Sequence, residues 1–305
     1  MNKHSHLRRA LSAGALTLAL TAGMASPAWA EGPDQDIDEN QEYATGRVVL
    51  SEGHVDMGLL HRDGSWEMRI HDDTAVPPVW RALDDVVLAV TDAAALPVPA
   101  EGFEFLGLEP GSTAYVIPQT EAPGVVWVGW NTQDPGVLDD VDLGLTLRVL
   151  SVSGPAEVTV YLQSGSFGEP DVLFTSQDPM PQEAWIELNT HTHANWVFGE
   201  PGAYLIDVEF SGTTIAGEEI SSRGTLRFAV GPEVDAQSVF DLQSEAPVVD
   251  APELSDNATA DGELGWWPWA LAGGLVVLLG GAVIITTVRS RAARRAGQST
   301  PVDAP

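Results

Sequence analysis

The sequence predicts an all-β fold: an Ig-like antiparallel β-sandwich over residues 45–232, followed by one C-terminal transmembrane helix. Three observations carry that prediction. Short runs rich in Val, Ile, Thr and aromatic residues recur between turns containing Gly, Pro and Asp. Apolar and polar residues alternate through Tyr204-Leu205-Ile206-Asp207-Val208-Glu209-Phe210, as on a sheet with one wet face. Residues 270–288 form an uninterrupted run of apolar, Gly and Thr residues, long enough for a hydrocarbon core of about 30 Å.

In chain order, residues 1–30 read as a secretory signal peptide. Lys3, Arg8 and Arg9 supply its positive start, residues 11–24 its short apolar core, and Ala28-Trp29-Ala30 a small-x-small cleavage site. Residues 31–44 are acidic and expected to lack structure. The domain opens with strands at 47–50 and 54–60. Asp63-Gly64 then makes a turn, and 65–70 returns as a hairpin partner. Further strands are expected at 86–91, 113–117, 125–131, 143–152, 157–163, 185–188, 204–211 and 225–230. Residues 83–95 are the one competing helical stretch, and Val86-Val87 favours strand there. Gly202-x-Tyr204 suits a tyrosine corner or a plain core tyrosine. Residues 233–265 mix Pro, Ala, Asp, Glu and Ser and read as a stalk. Trp266, Trp267 and Trp269 precede the apolar run, so the membrane segment is taken as 266–288. Arg289, Arg291, Arg294 and Arg295 follow, which holds the 289–305 tail in the cytoplasm. The expected location is therefore the plasma membrane, single-pass type I, with the domain outside.

Composition excludes several chemistries. There is no cysteine, so thiol catalysis and thiolate metal sites are out. Lys3 is the sole lysine, so beyond the leader there is neither a lysine Schiff base nor a phosphate loop with Lys. The formal net charge of −30 would repel nucleic acid and concentrate cations. Acidity alone is also what solubility requires.

The chemistry-bearing residues are histidines. His191-Thr192-His193-Ala194-Asn195-Trp196 lies in a stretch, 185–196, that reads as extended. On a strand His191 and His193 share a face, with Cα atoms about 6.6 Å apart. His54-Val55-Asp56 repeats the spacing. Folded together, the two pairs would give three nitrogens and one carboxylate oxygen, a first shell for zinc or another divalent metal. The alternative is polar strand residues facing solvent, or histidines hydrogen-bonded in a core. Asn195, on the same face, is a further oxygen ligand or a group that fixes an imidazole. His71, in Ile70-His71-Asp72-Asp73, is a candidate to replace Asp56, whereas His61 near the hairpin turn is expected to be solvated. Trp127 and Trp130 fall on opposite faces of a regular strand. One should be core and the other could stack on a sugar or wall the site; Trp196 is expected in the core.

Three blocks resemble the actinobacterial surface-anchored domain family, also described as the choice-of-anchor M domain. They are Gly53-His54-Val55-Asp56, the stretch from Val126 to Thr132 (Val-Trp-Val-Gly-Trp-Asn-Thr), and the stretch from His191 to Phe198 followed by Pro201-Gly202-Ala203-Tyr204. The resemblance covers roughly residues 47–231. It implies a surface receptor accompanying an ABC transporter, with a substrate-binding protein of that transporter as partner. A single copy and a plain membrane anchor depart from the family's varied pattern.

Catalysis finds little in the sequence. Gly165-Ser166-Phe167-Gly168 has the wrong spacing for a nucleophile elbow, and no His-Glu-x-x-His occurs. Three readings follow: metal capture without enzymatic activity, a glycan-binding or adhesion module using an exposed Trp127, Trp130 or Trp196, and a zinc-dependent hydrolase.

Overall fold

Asp63 and Gly64 turn the chain with φ of 52° and 75°, the positive values that a two-residue type I′ hairpin demands. They join Gly53–Arg62 to Ser65–Asp72, in register from Arg62 opposite Ser65 to Val55 opposite Asp72. In the computed structural model, which describes residues 37–165 and 168–244, this hairpin is the centre of the first of three sheets. That sheet runs Tyr43–Ala44, Val79–Ala82, Ser65–Asp72, Gly53–Arg62, Val126–Asn131, His191–His193. The second runs Gln182–Glu187, Val141–Ser153, Gly202–Thr214, Glu219–Val230, Val86–Val90, Val48–Leu50. The third runs Pro170–Thr175, Val158–Gln163, Asn195–Phe198, Thr113–Ile117, Ala95–Pro97.

Alternation decides what each face of the first sheet meets. Val55, Met57 and Leu59 point one way with Val126, Val128 and Trp130, and all are buried in the main core. The same core takes Leu145, Leu147 and Phe210 from the second sheet and Val160, Trp196 and Phe198 from the third. Burying each such side chain contributes about 1.5–3 kcal/mol. The intervening residues, His54, Asp56 and Gly58 on one strand and Trp127, Gly129 and Asn131 on the next, must therefore face the opposite way.

The all-β, sandwich-like character agrees with expectation. The details differ, because there are three sheets and four pairings are parallel. These are Tyr43–Ala44 with Val79–Ala82, Gly53–Arg62 with Val126–Asn131, Val86–Val90 with Glu219–Val230, and Val48–Leu50 with Val86–Val90. Alternation has the same period in either strand direction, so it could not announce them. Parallel neighbours need long connections, which this chain has between residues 62 and 126.

Segments expected to be unstructured are partly packed. Ile37 is buried with Leu60 and Trp80, and Tyr43–Ala44 pairs with Trp80 and Arg81. Beyond 232, Asp235 caps the short helix Ala236–Val239, and Val239 and Phe240 pack with Val87, Leu205 and Ala229. A few large apolar side chains suffice to dock an otherwise polar segment. The stretch 185–196 is not one strand: Asn189 turns it at φ 56°, and Ala194 separates His191–His193 from Asn195–Phe198 in another sheet. Residues 83–95 hold the strand Val86–Val90 between two 3-10 turns. Tyr204 is fully buried and its hydroxyl donates to the Glu200 carbonyl at 2.7 Å, which gives the tyrosine corner its bond.

The expected single-pass placement in the plasma membrane is corrected. Among the described residues no helix is long and apolar enough to cross a membrane. A crossing helix needs about 20 residues, and the α-helices there have six and four. The run at 266–288, the segment at 1–30 expected to be a signal peptide and the expected tail at 289–305 lie outside the described residues.

Candidate metal centre

Sheet register assembles the centre from four strands. Asp56 lies opposite His71 on one side and Gly129 on the other, and Gly129 lies opposite His193. One step along, His54 is opposite Trp127; on the other side, Asn131 is opposite both Gly58 and His191. Cross-strand partners share a face, so all these residues meet on the side turned away from the main core. Gly129 is what lets them converge. A Cβ there would stand 2.7 Å from both His193 Cε1 and the Thr192 carbonyl oxygen, and closer still to Asp56 Oδ1.

His54, Asp56, His191 and His193 form one cluster whose ligand atoms all lie within 4.8 Å of one another. The three Nε2 atoms make a nearly equilateral triangle: His54 to His193 2.9 Å, His54 to His191 3.1 Å, His191 to His193 3.1 Å. The Asp56 carboxylate stands 2.9 Å from His191 Nε2, 3.3 Å from His54 Nε2 and 3.6 Å from His193 Nε2. A tetrahedral ion with bonds of about 2.0–2.1 Å has ligand–ligand edges of about 3.3–3.4 Å. The Nε2–Nε2 edges, 2.9–3.1 Å, and the edges from Asp56 Oδ2 to His191 and His54, 2.9 and 3.3 Å, lie near that value, while the 3.6 Å approach to His193 is made by the other carboxylate oxygen, Oδ1.

Hydrogen bonding does not explain this arrangement. Each ring nitrogen has a single in-plane direction for its lone pair or N–H, and cannot aim it at two neighbours at once. Both Asp56 oxygens are buried, and the close donor positions around them are these imidazole nitrogens, of which His191 Nε2 at 2.9 Å comes nearest to a hydrogen bond. A buried carboxylate so sparsely satisfied would be costly by itself. Three imidazoles and one carboxylate suit a first-row divalent ion, zinc among them, rather than calcium or magnesium, which take oxygen shells. The cluster could therefore hold a metal ion.

Electrostatics agree with a cation between these groups. Burial alone would raise the Asp56 carboxyl, but a hydrogen bond from His191, with the charges of His191, His54 and His193 adding, outweighs it and holds the group below its ordinary range. Burial pushes the His193 imidazole down to about 4; Asp56 opposes that shift, while His54 and His191 reinforce it. His193 is thus a neutral donor near pH 7, the form that coordinates.

The remaining candidates sit around the cluster. His71 is not a ligand: its Nδ1 lies 3.1 Å from Asp73 Oδ1, its Nε2 meets the Gln41 amide at 2.6 Å, and its ring edge rests on Trp80. Asn195 is not a ligand either, because the break at Ala194 carries it into the third sheet. Its amide oxygen accepts from the Gln119 backbone N–H at 3.0 Å, and the Gln119 carbonyl accepts from Trp127 Nε1 at 3.2 Å. Asn195 therefore braces the wall of the site. His61, expected to be solvated, is partly buried, stacked on Trp66 at 4.1 Å and paired with Asp140 at 2.5 Å. Trp130 and Trp196 are core residues.

One side chain at the site escaped the sequence reading. Asp73 makes a short contact with His54 Nδ1, the carboxylate–imidazole pairing that orients metal-binding histidines. Its only signal was its place after His71-Asp72. Of the two tryptophans weighed from the sequence, Trp130 is the core one and Trp127 walls the site: it lies flat on His193, with ring centroids 3.7 Å apart.

In comparisons with known proteins, no family model, no curated protein and no solved structure matches the chain. The likeness to the choice-of-anchor M family accordingly rests on the three sequence blocks alone.

Proposed function

We propose that this chain is a metal-binding protein that captures zinc, or another divalent transition metal, either free or carried by a ligand. We further propose that it does so for an associated ABC transporter, passing the ion to that transporter's substrate-binding protein. The observation that carries the first part is the convergence of three Nε2 atoms on one fully buried carboxylate. The transporter partner rests on the resemblance of the His54, Trp127 and His191 blocks to the choice-of-anchor M family. The acidic surface favours a cationic cargo.

The two other readings have less behind them. Trp130 and Trp196 are buried, and Trp127 already stacks one face on His193, which leaves a sugar platform with one partly buried ring at most. A zinc hydrolase keeps a coordination position for water, whereas an ion held by all four residues of this cluster would have Asp56 in that place.

Elemental analysis and titration calorimetry test the reading. Chelator-stripped protein should take up one equivalent of zinc or manganese, and a chain carrying both His191→Ala and His193→Ala should take up none. Equal uptake by both would refute it. For the transporter, a deletion strain should need more of the limiting metal, and the double variant should fail to restore growth.

A further inference from the structure

Building on the metal reading above, we propose that Asp73 is a positioning residue that restrains His54, the exchanging ligand. Asp73, held by His71, then sets how fast the ion is bound and released. Asp73 gives each carboxylate oxygen to a different imidazole. Oδ2 contacts His54 Nδ1, and Oδ1 lies 3.1 Å from His71 Nδ1. His71 is anchored in turn by the Gln41 amide at 2.6 Å. Gln41 belongs to the N-terminal segment that the Glu42 carbonyl ties to the Trp80 backbone N–H at 2.9 Å.

The four ligands are unequally confined. The side chains of Asp56, His191 and His193 are 3% exposed or less, and Trp127 stacks on the last of them. His54 is 15% exposed and Asp73 22%. Solvent therefore reaches the cluster through His54, and an ion arrives or leaves as that imidazole swings. An imidazole that donates its Nδ1–H to a carboxylate keeps its Nε2 lone pair for the metal and its ring in a fixed orientation. The Asp73 contact holds His54 closed, and loosening it leaves the most exposed of the four ligands less firmly held.

The test uses the purified full chain, stripped and reloaded with zinc. Affinity is read by competition with a chelator, and release by adding excess chelator. Asp73→Ala should weaken zinc binding about 10- to 100-fold, most of it as faster release. Asp73→Asn, which keeps an oxygen acceptor, should recover part of the loss, and His71→Gln should show a smaller change in the same direction. In zinc-loaded protein, NMR should show the His54 Nδ1–H signal lost in Asp73→Ala while the His191 and His193 signals persist, which a merely structural role would not produce. Wild-type release rates in folded Asp73→Ala would overturn the proposal. Should that variant not fold, unchanged release in both Asp73→Asn and His71→Gln would do so. If wild-type protein takes up no zinc, the metal reading itself fails, a result distinct from these.

Discussion

Trp127 lies face to face with His193, their ring centroids 3.7 Å apart and their planes inclined by 13°. The indole is held by its own N–H, which donates to the Gln119 carbonyl. Aromatic pairs of this kind contribute about 0.5–1.5 kcal/mol beyond the area they bury. Trp127→Ala should therefore lower stability by about 1–2 kcal/mol and weaken zinc binding, whereas Trp127→Phe should retain most of both. Chemical denaturation and calorimetry on the same samples check this, and unchanged zinc affinity in Trp127→Ala would show that the wall does not orient the ligand.

Gly129 should tolerate no side chain. The Cβ of Gly129→Ala would press on Asp56, His193 and the Thr192 backbone together, and overpacking of this kind costs about 1–3 kcal/mol. The expected outcome is a folded but destabilised protein with little zinc uptake. Normal zinc stoichiometry in Gly129→Ala would contradict the geometry of the centre.

Metal-free protein should lose stability on acidification. Above pH 6.5 the His193 ring is neutral whether the chain is folded or not, so its contribution is fully present. Burial pushes its folded value down to about 4, so between 6.5 and 4 the unfolded chain takes up a proton that the folded chain refuses. Stability then falls as pH drops, by about 3 kcal/mol over the window. Asp56, held below its ordinary 3.8 by its imidazole neighbours despite burial, extends the loss to lower pH. Urea midpoints measured in chelator from about pH 7.5 to 4 check this, and a flat profile would count against it.

Zinc should restore what acid removes only while the imidazoles can shed protons. At near-neutral pH, free zinc at a hundred times its dissociation constant should stabilise the fold by about 2.7 kcal/mol. The chain carrying His191→Ala and His193→Ala should show no such gain in a thermal melt.

The tyrosine corner gives a prediction independent of the metal. Tyr204→Phe removes the hydroxyl that donates to Glu200 and should cost about 0.5–1.5 kcal/mol with zinc affinity untouched. Altered zinc binding in this variant would mean that the second sheet communicates with the centre in a way its contacts do not suggest.

How much of this was legible varies with the physics of each signal. The hairpin around Asp63-Gly64 was, because positive φ at both turn residues demands that residue pair. The four ligands were legible because His-x-His and His-x-Asp put two donors on one strand face whatever the partner strand. Strand neighbours were not. Residues 53 to 58 pair in parallel with 126 to 131, and nothing local distinguishes that from an antiparallel mate. Val79–Ala82, Ala95–Pro97 and Pro170–Thr175 were hidden by the prolines in or beside them. Asn195 was misplaced because continuing the strand through Ala194 is the simplest extrapolation, and the sheet switch there has no residue signature. Asp73 was missed because its role depends on where the hairpin ends relative to His54.

The strand His191–His193 closes its sheet with three residues and two inward imidazoles. Behind it lies Val126-Trp127-Val128-Gly129-Trp130-Asn131, six residues without a charge or a proline. Such a segment is prone to pair with copies of itself once its edge is bare. An ion gripping both imidazoles would rivet the cover in place. Starving the protein of metal would then do more than empty a binding site: it would loosen the strip that keeps this segment from self-association, and demetallated protein should be the form that clumps.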